Sequence, residues 1–428
     1  MTAAVSTDAL QAALEAQLAK LPADPALQSA RRDAFSRFVA LGLPTTRDEA
    51  WHYTRLDPRQ TTDLALASVG DIGEPASSLA IPGLAAPCLT FAGGQARSSE
   101  QPPAGPVTIG TLATLGARGE PAGLVEPQSA QALAALNAAL APDAGVIEIA
   151  AGTQVAEPLY CLFAATPGQS QSRLLVRLAE NAKLDLVIHH AGRPTGPGWN
   201  NLVVDVQQGA GSSLSVYRLN ELGADYQQTE QMTVRIAANG KFHLATADLG
   251  AGLSRNDVCI QLNGAGADAQ LDGLFVANQG QHLDNRVLLD HAASNTTSWQ
   301  RFRGIGNHRG RGIFNGKVLV REGTKGVDAQ QTSNNLLLAE RCEIDTKPEL
   351  EIYADDVKCS HGATVGKLDD DQLYYLRSRG IHRVEARRLL IQAFAMSVVE
   401  RFAIEAVARQ VSRALDTQLM AAIREEGV

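Results

Sequence analysis

For about two hundred residues from Gly145 the chain repeats without helices. Short strands of β-branched and aliphatic residues are separated by corners of Gly, Asn and Asp. Aligning the corners exposes four copies. Leu174-Leu-Val-Arg-Leu precedes Glu180-Asn-Ala-Lys-Leu-Asp-Leu, and Leu202-Val-Val-Asp-Val precedes Gly209-Ala-Gly-Ser-Ser-Leu-Ser-Val. Met232-Thr-Val-Arg-Ile then precedes Ala238-Asn-Gly-Lys-Phe-His-Leu, and Asp257-Val-Cys-Ile-Gln-Leu precedes Gly264-Ala-Gly-Ala-Asp-Ala-Gln-Leu. Each copy is strand, small-residue corner, strand, returning after about 24 to 30 residues. Such a unit cannot bury its own apolar face, so copies must stack, and the pattern favours a β-solenoid. A β-sandwich is the competing reading, but it calls for tighter hairpins and strands every 8 to 12 residues or so.

The flanks have a different texture. Leu10, Leu14 and Leu18, then Phe35, Phe38 and Leu41 beyond a Pro22 to Pro25 break, predict an N-terminal helical region over 1–60. Residues 61–144 are rich in Ala, Gly, Pro and Ser and predict connecting structure with short strands, closed by a helix from Ser129 to Leu140. The solenoid is expected over 145–368. Asp369-Asp-Asp-Gln is a good helix start, with acids at the positive end of the dipole. From Val384 to Leu415 one long helical stripe carries Leu390, Phe394, Val398, Phe402, Val407 and Val411, so 369–428 reads as a helical domain or docking element.

Composition narrows the function classes. Lys plus Arg total 38 against 46 Asp plus Glu, and a net charge of −8 argues against nucleic acid as the main partner. No run of eighteen uncharged apolar residues exists, and the N-terminus shows no basic segment leading into an apolar one, so a soluble, unexported, cytoplasmic chain is expected. Five cysteines, at 88, 161, 259, 342 and 359, are scattered and include no Cys-x-x-Cys pair, which disfavours a disulfide framework or a self-sufficient zinc site.

Cys359-Ser-His361 is the only close Cys/His pair. In a strand, residues i and i+2 share a face about 6.5 to 7 Å apart, which suits two ligands of one metal or cluster. On spacing alone the ordinary reading, a half-buried thiol and a surface imidazole, carries more weight. Two ligands are also too few for an iron-sulfur cluster, which takes four, so a real site needs a partner to complete it. Asp355 and Asp356 read best as turn residues. The basic run Arg301 to Arg311 could meet RNA phosphate but reads better as a sheet face or interface. His189 and His190 point to opposite faces of a strand and cannot easily share a metal. No Gly-x-x-x-x-Gly-Lys-Ser/Thr, Gly-x-Ser-x-Gly or His-Glu-x-x-His motif occurs, so nothing assembles a stand-alone active site.

Three segments then carry a resemblance. Gln330-Gln-Thr-Ser-Asn-Asn-Leu-Leu-Leu, Glu343 through Gly366, and Leu373-Tyr-Tyr-Leu-Arg-Ser-Arg-Gly-Ile closely resemble the C-terminal signature of the SufB/SufD family. Glu49-Ala-Trp-His-Tyr-Thr is similar to the family's Glu-x-Trp-Lys-Tyr-Thr, with His52 where Lys or Arg is usual. The likeness runs from about residue 40 to the end and is strongest over 310–382. Lys358-Cys-Ser-His-Gly-Ala-Thr looks like the SufD branch; SufB-type chains usually are longer and carry other cysteines there.

The resemblance implies a mainly β chain, a right-handed parallel β-helix flanked by N- and C-terminal helices. It further implies a non-enzymatic subunit of an iron-sulfur cluster assembly complex. The partners would be a SufB-type paralogue, met through the β-helix edge, and a SufC-type ABC ATPase, met through the C-terminal helices; isolated chains could pair as a homodimer. His361 would face the paralogue's cysteine where a nascent cluster or iron is held transiently, with Cys359 nearby. Tyr375, Leu376, Arg379, Ile381, Phe394 and Phe402 would dock the ATPase. No tightly bound cofactor is implied, though a reduced flavin could be carried by the complex. Alternatives are a SufB-like primary scaffold, a purely structural partner, and, from another class, a carbohydrate-processing β-helix enzyme.

Overall fold

The computed structural model describes residues 7–19, 25–67, 76–99, 105–112 and 131–425. Expectations for 68–75, 100–104 and 113–130, including Ser129, lie outside these residues. Two helices come first, α1 (Thr7–Leu18) and α2 (Pro25–Leu41). After two 3-10 turns and the short α3 (Ala76–Leu79) come β1 (Leu89–Ala92), β2 (Gln95–Ser98), β3 (Val107–Thr111) and α4 (Ala132–Leu140).

From Gly145 the strands alternate between two sheets. One sheet takes β4 (Gly145–Ile149), β6 (Gly168–Leu178), β8 (Gly198–Gln208), β10 (Tyr226–Ile236), β12 (Leu253–Leu262), β14 (His282–His291), β16 (Arg311–Val320) and β18 (Glu343–Ile352). The other takes β5 (Leu159–Ala164), β7 (Lys183–Ala191), β9 (Ser213–Asn220), β11 (Lys241–Asp248), β13 (Asp268–Ala277), β15 (Thr297–Gly306), β17 (Val327–Leu337) and β19 (Val357–Gly366). Every strand pairs in parallel with the one a full turn away, at offsets from 26 residues (Gln227↔Leu253) to 32 (Arg311↔Glu343). The fold is thus the stacked solenoid and not the sandwich. The first turns are closed by short reversed strands, β2 against β1 and β3 against β4.

Like residues stack because equivalent positions sit one strand spacing apart. Val176, Val206, Val234, Ile260, Leu289 and Val318 form one interior column, all buried completely. Each such side chain contributes roughly 1.5–3 kcal/mol by leaving water. The corners after the even strands stack too. Asn181, Gly211, Asn239, Gly266, Asn295 and Gly326 all take positive φ, alternating Asn and Gly. A Cβ on Gly211 would stand 2.3 Å from Asn181 Oδ1, and one on Gly266 2.3 Å from Asn239 Oδ1, so each Asn leans over the neighbouring glycine.

Helical layers cover both outer faces. On the even sheet, α1, α2 and α4 bury Leu10, Leu14, Phe38 and Leu136 together with Trp199. On the odd sheet lie α6 (Arg383–Val399) and α7 (Glu405–Glu425), preceded by α5 (Asp370–Ser378). They bury Ile391, Val398, Phe402, Val407, Val411 and Leu415 against Tyr217, Leu219, Ala247, Leu274 and Ile305. The single long helix expected over 384–415 is therefore two helices with a break at residues 400–404. Its apolar stripe continues across the break because both helices lie on one sheet.

Candidate functional site

The solenoid ends on an open rim. β18 and β19 are the last strands of their sheets, and no described strand pairs with their outer edges. Ile352, Tyr353 and Val365 are exposed there. A row of unpaired backbone donors and acceptors invites strand pairing with another chain.

Register places Cys359 and His361 on the lumen-facing side of β19. Cys359 stands over the buried Ala329 and packs on the interior core, and His361 stands over the buried Gln331. His361 is exposed only because no further turn covers it. Burial pushes the Cys359 thiol above its ordinary value; the Ala329 backbone offsets part of this, and the Asp328 carboxylate raises it further. The thiol must therefore give up a proton to bind a metal. Among the described residues no group of three or more His, Cys, Asp and Glu side chains is placed to hold a metal, so this rim offers two candidate ligands.

The column beneath His361 changes character along the molecule. Leu186, Val216, Leu244 and Leu271 are aliphatic; the next three positions are Gln300, Gln331 and His361. Gln331 Nε2 donates to the Gly316 carbonyl across the lumen at 3.0 Å. The glycine at 316 leaves room for this bond, since a Cβ there would lie 2.1 Å from that nitrogen and push the amide aside. The Gln330-Gln331 pair belongs to the C-terminal signature, but nothing in its spacing announced an inward-facing amide.

The residues expected to dock an ATPase divide between two surfaces. Tyr375 is 58% exposed and its neighbour Tyr374 73%, on the outer side of α5. Asp369 caps this helix by accepting from the Asp371 and Gln372 backbone N–H groups. Arg379 lies over the Tyr375 ring, 5.2 Å from its centroid, and Leu376 and Ile381 are half-buried. Phe402, only 3% exposed, packs on Tyr217 and faces the solenoid, away from the surface that Tyr374 and Tyr375 present. Phe394 is half-buried beneath the Arg303 guanidinium, 4.7 Å from its ring centroid.

Other singled-out residues have structural partners. Arg301 pairs with Asp272 and Arg311 with Asp345, so much of the basic run is neutralised locally. His189 and His190 do face opposite ways. His190 is inside, 3.1 Å from Glu230, whereas His189 lies beneath the C-terminal helices between the Tyr160 hydroxyl (2.8 Å) and Glu221 (2.9 Å). Asp355 and Asp356 occupy the corner between β18 and β19. The Glu49-to-Thr54 segment is a clamp on the even sheet: Thr54 Oγ1 donates to Asp284 Oδ2 at 2.5 Å, and Lys347 lies 3.7 Å from Glu49. No described helix is long and apolar enough to cross a membrane.

Fold and rim together define a parallel β-solenoid flanked by helical layers, with a thiol and an imidazole at one end. A family model described as "SUF system FeS cluster assembly, SufBD core domain" matches residues 162–394. The chain belongs to this family, as a SufD-type member. It is 29% identical to the iron-sulfur cluster assembly protein SufD of Escherichia coli, over 88% of this chain and 89% of the relative. It is 28% identical to an iron-sulfur cluster assembly SufBD family protein of Synechocystis, over 94% and 96%. A SufBD family protein of Mycobacterium tuberculosis is 30% identical over 68% and 74%.

Proposed function

We propose that this chain is the SufD-like scaffold subunit of a cytoplasmic complex with a SufB-type paralogue and a SufC-type ATPase, supporting ATP-dependent assembly of iron-sulfur clusters. The observation that carries this reading is the open last turn, which presents Cys359 and His361 beside two unpaired strand edges. The paralogue's last strands would continue both sheets, and its thiolates would complete the ligand set that two residues cannot. Iron or a nascent cluster is the cargo of this interface, held until transfer.

The ATPase would dock on the exposed side of α5, around Tyr374, Tyr375 and Arg379. Its ATP-driven dimerisation would move the helical layer, and the solenoids would shift as rigid bodies to open the rim. The neutral imidazole of His361 would serve as an iron ligand. The test is His361→Ala in the purified three-component complex. Loss of iron and sulfide with the subunits still together supports the reading; wild-type cluster content refutes it.

A further inference from the structure

We propose that Gln331 is the positioning residue for His361, an inference that rests on the rim being the cluster site and names a residue that acts there through the imidazole. The interior column gives the first reason. Aliphatic through four turns, it becomes Gln300, Gln331 and His361 over the last three, although all these positions face the same lumen. Packing alone calls for another leucine. Each amide here loses hydration that an aliphatic side chain would not need.

The second reason is an unmet bond. Gln331 is 1% exposed, and its Nε2 is fixed by the Gly316 carbonyl, which aims the other end of the amide. That end, Oε1, is buried with no hydrogen-bond partner. Both amide ends of Gln300, one turn further in and 2% exposed, are likewise unpartnered, as is Thr346 Oγ1 on the facing wall. A buried carbonyl oxygen left in this state is stable only where something else repays it. His361 occupies the next position up the column, one strand spacing away.

These facts fit one arrangement. When a divalent metal takes one ring nitrogen of His361, the other carries a proton, and that N–H donates a hydrogen bond to Gln331 Oε1. The tautomer and plane of the ring are then fixed, as carbonyl partners commonly fix metal-bound histidines. Gly316 belongs to the same device, because any side chain there would displace the amide.

The probe is Co2+ added to the full-length protein in complex with its paralogue, read by its ligand-field absorption and by titration. Gln331→Met, which keeps length and removes the oxygen, is expected to weaken Co2+ binding about 10- to 100-fold and shift the band. Gln331→Glu, which keeps an acceptor oxygen but gives up the donor to Gly316, is expected to bind Co2+ more tightly than Gln331→Met. Unchanged affinity in Gln331→Met overturns the inference, and equal weakening in both variants overturns it as well, by reducing Gln331 to packing. His361→Ala is the separate control: if Co2+ binding survives it, the cluster-site reading itself falls, whereas its loss beside an indifferent Gln331→Met sinks only the positioning role.

Discussion

The Arg255 guanidinium lies over the Trp51 indole, 3.6 Å from the ring centroid, while its Nη1 donates to Asp284 Oδ2 at 2.8 Å. A segment near the N-terminus is thus tied to two successive turns of the solenoid more than two hundred residues on. Arg255 and Asp284 are both buried, and such a pair is stable only when its remaining hydrogen bonds are made. Trp51 and Thr54 complete the shell.

Trp51→Ala should therefore cost roughly 3–5 kcal/mol, as for other buried aromatic truncations. Thr54→Val should cost about 1–3 kcal/mol by leaving Asp284 short of a donor. Thermal unfolding of the two variants checks both; a wild-type midpoint for Trp51→Ala would show that the clamp adds nothing to stability.

The corner ladder makes a prediction about alternation. Gly211→Ala combines a left-handed conformation costing about 1–2 kcal/mol with a collision against Asn181. Asn181→Gly in the same chain should recover the part due to collision. Unfolding midpoints of the single and double variants measure it, and no recovery would mean that backbone strain alone sets the cost.

Acid should weaken the fold in two stages. Burial lowers the pKa of His190 and His282, and lowers that of His291 to about 4. These groups bind protons more readily when unfolded, so their contribution is complete above about pH 6.5 and lost as pH falls toward 4. His291 alone accounts for up to about 3 kcal/mol. Burial would raise Glu230, but Arg218 and His190 outweigh it and hold the carboxyl down to about 2, so its contribution is lost between about pH 4.5 and 2. Denaturant midpoints measured from pH 7 to 3 should fall, and His291→Gln should flatten the upper part of the curve.

On the helical layer, Tyr374→Ser with Tyr375→Ser should leave the unfolding midpoint within about 0.5 kcal/mol of wild type, since both rings face solvent. Phe402→Ala should destabilise by roughly 3–5 kcal/mol and raise hydrogen exchange in α6 and α7. Co-purification of the ATPase should fail for the tyrosine pair. Retention of the ATPase by that variant would move the docking surface elsewhere.

Much of this architecture could be read from the amino acids, because the corners carry it. Asn and Gly at left-handed positions recur whatever the strands contain, so Asn181, Gly211, Asn239 and Gly266 revealed the repeat. The strands were harder to align. Leu174 pairs with Val204 and not with Leu202, since Ser170, Ser172 and Asn200 put polar groups inside the even strands and blur the alternation. The short strand β1 and the reversed strands β2 and β3 have too few residues for a period. The rim was legible only as Cys359 and His361; Gln300 and Gln331 were not, because a lumen-facing amide looks like a surface one until the turns are stacked.

The closure of the solenoid at its first turns alone limits how copies can associate. Two such molecules meeting rim to rim would satisfy both exposed ten-residue edges at once, whereas the strands that end the sheets at the far side, β2 and β3, are only four and five residues long and offer a third molecule little to pair with. Pairing rim to rim is thus favoured over end-to-end growth into a fibre, and whichever chain takes the second place would decide what chemistry the junction performs.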